Sequence, residues 1–268
     1  MTLPSFAELV AVEDANIDLE QACLSIGLQS AIQPYVNALN SIAERVALCL
    51  KDSDPIEVTV QRIGEYLHYQ EGFTINREEY YQVSNSYLSQ VIETRKGIPI
   101  TLAIIHLCIA KRLGIEAVGI NFPGHFLIQY NNSIDLLVEP GSGRFLNTAD
   151  CSDMLRDIRG TEVPLEQHFF SRASSGEILT RVLENLKQIH LQGSNWEDAK
   201  ECLRNQLAIN PQRFDLMLQL GNLFQRQGDL GQALQLYSQV VAQSQNPALV
   251  KYTQTLLEQL GNAGPTVH

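Results

Sequence analysis

The segment from Gly97 to Gly114 constrains this chain more than any other. Pro99 stands near its start and Gly114 just past its end, the order in which helices tolerate a missing N–H and then stop. Between them, Ile100, Leu102, Ala103, Ile104, Ile105, Leu107, Cys108, Ile109 and Ala110 leave almost no polar face, so this helix has to be enclosed on all sides. Lys111 and Arg112 fall in the last turn, where cations suit the helix dipole. The residues that follow supply a covering layer. Segments 117–120 and 126–130 read as strands joined by Pro123-Gly124, Asn131-Asn132 makes a turn, and 134–138 reads as a third strand. One buried helix followed by antiparallel strands predicts an α+β domain.

Upstream, residues 4–70 read as helices. Asp54-Pro55 looks like a cap followed by proline at the first helical position, and Ile56, Ile63 and Leu67 recur at helical spacing. Residues 76–96 are also expected to be helical, from Asn76 as a cap to a stop at Arg95-Lys96-Gly97. From 177 onward the chain is helical and repetitive. Asn195 and Asp229 lie 34 residues apart, as do Ala199 and Ala233, which is the tetratricopeptide (TPR) period. Leu220-Gly221 and Phe224 fit the first-helix pattern, whereas Lys187 replaces the corresponding glycine in the earlier unit. Two units give at least four helices. They are fewer than an independent solenoid needs, so they are expected to pack on the first domain.

Charge separates the same two regions. The chain carries 30 acidic and 19 basic side chains, a formal charge of −11, and residues 1–176 hold 22 of the acids and 12 of the bases. A boundary near 176 follows, with domains at 1–176 and 177–268. An acidic surface repels phosphate backbones, so nucleic acid is not expected as a partner. The five cysteines are widely spaced and form no CxxC pair, which excludes a zinc knuckle. Cys49, Cys108 and Cys202 sit among apolar neighbours and read as small buried hydrophobes, which favours a reducing compartment. The six histidines make no His-x-x-x-His pair, so neither a metal nor another cofactor is expected. The N-terminus turns acidic too early for a signal peptide, and the apolar runs fall short of the roughly 20 residues of a membrane span. A cytoplasmic location is the simplest expectation.

Four motifs carry a resemblance: Asn85-Ser86-Tyr87-Leu88, Arg95-Lys96-Gly97-Ile98-Pro99-Ile100, Ala110-Lys111-Arg112-Leu113-Gly114, and Asn121-Phe122-Pro123-Gly124-His125-Phe126-Leu127. They are similar to the bacterial SirB1-type proteins, over roughly residues 30–262. The resemblance implies a helical lead-in, a transglutaminase-like core of the papain-like superfamily, and a C-terminal all-α TPR-like region. In that superfamily a cysteine opens the buried helix, a histidine opens one strand, and an acid lies on the next. The histidine takes the thiol proton and the acid orients the histidine.

The offsets of Gly97, Ala103 and Gly114 put the nucleophile position at Pro99, which carries no nucleophile. His125 falls at the histidine position, and Glu139, in Glu139-Pro140, falls where an Asp-Pro pair is usual. By the same resemblance His125 is expected to point towards the start of the Pro99 helix. Cys108 lies about 13.5 Å further along that helix, out of reach of a base at its start, and Cys151 approaches only by a loop excursion. Plainer roles stand beside these. His125 bonds a loop carbonyl, Glu139 braces the following Gly141-Ser142-Gly143 loop, His106 is a satisfied core histidine, and Arg95 pairs with Glu139 or Glu93. Asn85, Arg95, His125 and Glu139 are the candidate binding residues. The reading favoured is a pseudoenzyme, a non-catalytic protein-interaction or regulatory protein that binds a protein or peptide through the cleft or the TPR-like region. The alternative is a hydrolase or acyl-transfer enzyme using His125 and Glu139 with another nucleophile, for which Ser86 is the candidate.

Overall fold

A computed structural model describes residues 4–28 and 31–262, which divide into two compact units, 1–182 and 183–268. The first unit opens with α1 (Phe6–Val10), where Ser5 and Glu8 form a reciprocal capping box. α2 (Leu19–Ser25), α3 (Gln33–Ala47) and α4 (Ile56–Glu65) follow. α4 starts one residue later than the Asp54-Pro55 pair suggests. Asp54 instead pairs with Arg62 and accepts the Lys51 N–H, so its carboxylate is spent on the turn rather than on the cap. α4 runs on into a π-helical turn, Tyr66–Gln70.

The stretch expected to be helical over 76–96 is helical only at its end. A two-residue strand, β1 (Thr74–Ile75), leads into turns and a 3-10 segment at Val83–Asn85 before α5 (Leu88–Thr94). Side-chain to backbone bonding explains the difference, because Asn85 donates to the carbonyls of Glu79 and Tyr80 and so draws the chain into a turn. α5 stops at Arg95 in the left-handed region (φ 62°), and β2 (Lys96–Gly97) pairs in parallel with β1.

α6 (Pro99–Arg112) is the central helix. Ten of its fourteen residues are buried, Pro99 occupies its first turn, and Gly114 follows at φ +69°. It packs on α3, α5 and the strands β3 (Ala117–Ile120) and β4 (Leu127–Tyr130). The expected third strand is mostly a 3-10 turn, Ile134–Leu136, leaving β5 as Leu137–Val138 alone, and β6 (Phe145–Leu146) completes a sheet in the order β3-β4-β5-β6. All its pairs are antiparallel, with Ala117 opposite Tyr130 and Ile128 opposite Val138. Every residue of β4 is buried because both sheet faces are covered. Tyr130 faces α6, where its hydroxyl meets His106 Nδ1 at 3.1 Å. Leu127 faces the other way, in a cluster with Cys151 and Leu155 of α7 (Thr148–Arg159) and with Phe169.

α8 (Ser175–Gln192) contains the division between the units. In the second unit, α9 (Trp196–Ile209), α10 (Phe214–Arg226), α11 (Leu230–Gln243) and α12 (Pro247–Asn262) follow the end of α8, which makes five helical segments, one more than two repeats require. Ala199 and Ala233 are both fully buried in one cluster, as their shared repeat position demands. Gly221 lies against Tyr237, where an added Cβ would come within 2.5 Å of the ring. The equivalent pair one repeat earlier is Lys187 and Leu203, so the glycine is needed only where an aromatic ring stands opposite. Lys187 is buried, with Glu184 at 2.7 Å and Gln219 at 3.1 Å. No helix of the described residues is long and apolar enough to cross a membrane.

Two outcomes follow. Gly221→Ala forces the Tyr237 ring aside and lowers stability by about 1–3 kcal/mol, measured by urea unfolding. His106 is expected to make stability pH-dependent, because burial lowers its pKa from 6.5 to about 4. As pH falls through that window the unfolded chain takes up the proton first, so stability drops. Between pH 7 and 4.5, wild type loses about 2–3 kcal/mol more than His106→Asn. Equal pH slopes for the two proteins refute the assignment.

Candidate functional site

The start of α6 is fixed by three residues that the sequence places far apart in role. Thr101 Oγ1 accepts the Ile98 N–H at 3.1 Å and reaches the carbonyl of Asn85 at 2.8 Å. Asn85 is itself buried and fully engaged: it donates to Glu79 and Tyr80 and accepts from Asn76 Nδ2 at 3.1 Å. Its amide is therefore a brace, with its bonding capacity used inside the fold. Gly97 is required by close approach, since a Cβ there would lie 2.8 Å from Thr101 Oγ1. Pro99 follows, half-buried, at the first helical position.

Arg95 also serves this entrance. Its pairing partner is Glu71, at 3.1 Å, in place of the expected Glu139 or Glu93. Glu93 instead accepts from Tyr35 Oη, and Glu71 also holds Arg45 at 2.5 Å. The Arg95 guanidinium covers the Phe73 ring at 4.7 Å and donates to the Ile92 carbonyl. These contacts offset the cost of a left-handed backbone, about 1–2 kcal/mol for a residue with a Cβ.

His125 sits in the Phe122–His125 turn, two residues before β4. Its backbone N–H donates to the Phe122 carbonyl at 3.0 Å, and Gly124 takes φ +69° with Ile158 of α7 packed against it. The loop carbonyl is thus bonded by the main chain of His125. Its half-buried imidazole makes no hydrogen bond to any described residue and lies 6.4 Å from the Phe122 ring. Desolvation lowers its pKa, Arg181 pushes it down further, and Glu139 and Asp157 oppose the shift. At neutral pH the ring is uncharged, with one nitrogen to donate and one to accept.

Glu139 follows β5. Its Oε2 accepts from Ser142 Oγ at 2.6 Å, and its carbonyl accepts the Gly143 N–H at 2.9 Å, so it does brace the glycine loop. That loop meets α4 backbone to backbone: a Cβ on Gly64 would lie 2.8 Å from the Gly143 carbonyl. Gly141 packs on Ile75 of β1, whose strand partner is Gly97. β1 thus lies between the Glu139 loop and the residue two before Pro99. Asn85 and Pro99 lie at the start of α6 and Arg95 at the stop of α5, while the His125 imidazole feels the charges of Glu139, Arg181 and Asp157. Asp157 and Arg181 lie outside the sequence motifs, and only the packing of α7 and α8 against the sheet region reveals them.

No cysteine is poised as a substitute nucleophile. Burial pushes the Cys108 thiol well up, with Glu20 adding to the shift, and burial followed by Asp150 raises Cys151. Ser86 Oγ is buried and makes no hydrogen bond to any described residue, 1% of the residue being exposed, so no described base reaches it. Cys49 is exposed instead of buried, because α3 ends at Ala47 and leaves it in a surface turn. Among the described residues, no three His, Cys, Asp or Glu side chains converge as metal ligands.

A central helix capped by proline, a four-stranded sheet with His125 and Glu139 at adjoining strand ends, and a repeat of 34 residues define a class. It is a transglutaminase-like domain followed by a TPR segment. The profile of the transglutaminase-like superfamily matches residues 33–184, and that of the tetratricopeptide repeat matches residues 190–259. A UPF0162 protein of Xylella fastidiosa (strain 9a5c) is 32% identical over 260 residues, covering 88% of this chain and 90% of its own. A UPF0162 protein of Pseudomonas aeruginosa is 37% identical over 156 residues, 57% of this chain and 56% of its own. Human F-box only protein 21 is 26% identical over 171 residues, 59% of this chain and 26% of its own. The chain belongs to the UPF0162 family, the SirB1-type proteins.

Because two glycines bring α4 and the Glu139 loop into backbone contact, Gly64→Ala is expected to lower stability by about 1–3 kcal/mol. The displaced loop also moves Glu139, so the His125 NMR titration midpoint falls in the variant. An unchanged midpoint separates the loop from the His125 environment.

Proposed function

We propose that this protein is a non-catalytic binding protein, built on a transglutaminase-like domain and a TPR-like segment that engage a protein or peptide partner. The observation that carries this reading is Pro99 at the start of α6. In the superfamily that position holds the attacking sulfur, and proline offers neither a nucleophile nor a backbone N–H. The buried thiols and the enclosed Ser86 hydroxyl give no replacement. TPR segments elsewhere form grooves that hold peptides or helices, which supports a protein partner.

A second reading keeps one specific observation on its side. The His125 imidazole is uncharged and unbonded to any described residue, and it senses Glu139, which is the condition of a general base. In that reading His125 activates a hydroxyl or a water for attack on an acyl group.

The test compares the intact protein with His125→Ala for transfer of acyl groups to a fluorescent primary amine and for hydrolysis of glutamine-containing peptides. Neither protein is expected to turn over substrate. Turnover by the intact chain that is lost in His125→Ala establishes the second reading. Pro99→Cys is expected to label with iodoacetamide, because a thiol at a helix N-terminus ionises readily, yet to transfer no acyl group. Efficient transfer by Pro99→Cys shows that the substrate surfaces have been kept.

A further inference from the structure

The sheet face turned away from α6 holds one residue out of keeping with its neighbours. Side chains alternate along a strand, so Gln129 of β4 lies on the same face as Leu127. The residues opposite it, Val118 on β3 and Leu137 on β5, are both apolar. Gln129 is only 8% exposed. Its carboxamide offers one carbonyl acceptor and two N–H donors, yet it makes no hydrogen bond to any described residue. Buried polar side chains are nearly always bonded, and an apolar residue here would match Val118 and Leu137. An unbonded amide at this position points to a partner outside the fold.

Gln129 opens into a groove of about 1040 Å³. Small-molecule sites span about 300–1,000 Å³, so this groove takes far more than a bridging water. Leu165 and Phe170, both half-buried, line it with apolar surface, and Ile134, 42% exposed, stands on its rim. The charges beside the groove are answered within the first unit. Glu166 pairs with His168 Nδ1 at 3.1 Å, and Arg172 pairs with Glu116 at 3.3 Å. Asn132 and Gln167 add only uncharged polar groups. An ionic ligand therefore meets no spare counter-charge among the described residues. What the groove offers is a buried amide beside apolar walls.

We propose that this groove binds an uncharged, apolar stretch of a partner peptide, with a main-chain amide on Gln129 and an apolar side chain against Leu165, Phe170 and Ile134. The Gln129 Nε2 group donates to a peptide carbonyl and Oε1 accepts a peptide N–H, so the unmet groups on both sides are satisfied together. The main chain is neutral, as a groove without spare charge requires. A nucleic acid fails on the same count, since its phosphates would find only a cation already paired, on a chain of net charge −11. All the lining residues belong to the first unit, and Gln129 faces away from the Pro99 helix. The groove is thus a site additional to the Pro99 cleft and the TPR-like segment, and it stands whether or not His125 performs chemistry.

The experiment follows the intact protein by NMR, with glutamine side-chain and backbone amides labelled. The Gln129 side-chain signal is the one that Gln129→Leu removes. The probes are acetyl-Ala-Leu-Leu-Ala-amide, the same peptide N-methylated at both leucines, acetyl-Ala-Glu-Glu-Ala-amide, and N-methylacetamide. Saturable shifts of the Gln129 side-chain and Phe170 backbone signals are expected with the leucine peptide. N-methylation should weaken its binding by about tenfold or more, because the N–H that Gln129 accepts has gone. The glutamate peptide and N-methylacetamide should not saturate over the same range. Gln129→Leu, followed on Phe170, should weaken the leucine peptide to a similar degree while unfolding at the same or a higher urea concentration, because no bond inside the fold is lost. Ile134→Ser, a change at an exposed rim, should weaken the peptide severalfold without unfolding the protein. Absence of saturation, or binding as tight by the N-methylated peptide, the glutamate peptide or N-methylacetamide, overturns the proposal. So does undiminished affinity in either variant. A Gln129→Leu protein less stable than wild type also overturns it, by showing that the amide is already bonded within the fold.

Discussion

Everything in the first unit depends on the burial of α6. A helix without a polar face gains nothing from water at any azimuth, so the chain has to wrap it completely. α3 and α5 cover one side and β3 and β4 another. The cost of such enclosure is that the helix end must be satisfied from within. Thr101 does this by accepting the Ile98 N–H while bonding the Asn85 carbonyl, and Asn85 in turn holds the 79–80 turn. One buried hydroxyl thereby links the helix start to a loop sixteen residues earlier.

The same economy of polar groups explains the charge layout. The chain has a large excess of acids, yet its half-buried cations are placed where they fix backbone geometry. Glu71 gathers Arg45 and Arg95 at the left-handed stop of α5, and Glu20 holds Arg112 at the end of α6, where the cation also meets the Cys108 carbonyl. Such pairs with two partners and backbone acceptors specify geometry more than they add stability.

Much of the core was legible because it rests on period and punctuation. The enclosed helix, β3, the Pro123-Gly124 turn and the Ala199–Ala233 repeat all follow from residue patterns spanning fewer than forty positions. The stretch 76–87 has the spacing of a helix but folds as turns and a 3-10 segment, because the decisive bonds come from the Asn85 side chain to carbonyls before it, which hydrophobic spacing does not register. The strand that spacing extends over 134–138 is shorter for a related reason: Ser133 accepts the Asp135 N–H and tightens the chain into a 3-10 turn. At the site, the motif positions of Pro99, His125 and Glu139 were readable in the chain, but the Arg95 partner was not. Glu71 and Arg95 are 24 residues apart, and nothing in sequence ranks one acid above another as the mate of a given arginine.

The sequence by itself determined the α+β core around one apolar helix, the 34-residue repeat and the absence of a nucleophile at position 99, because each is a property of residue type and spacing along the chain. Only the tertiary structure decided that the Cys108 and Cys151 thiols are shut away from ionisation, that Asn85 is a brace, and that His125 shares its surroundings with Glu139, Asp157 and Arg181. Those are properties of desolvation and of charge at short range. Both depend on which distant segments are packed together, and that packing is set by the folding of the whole unit, not by any local pattern.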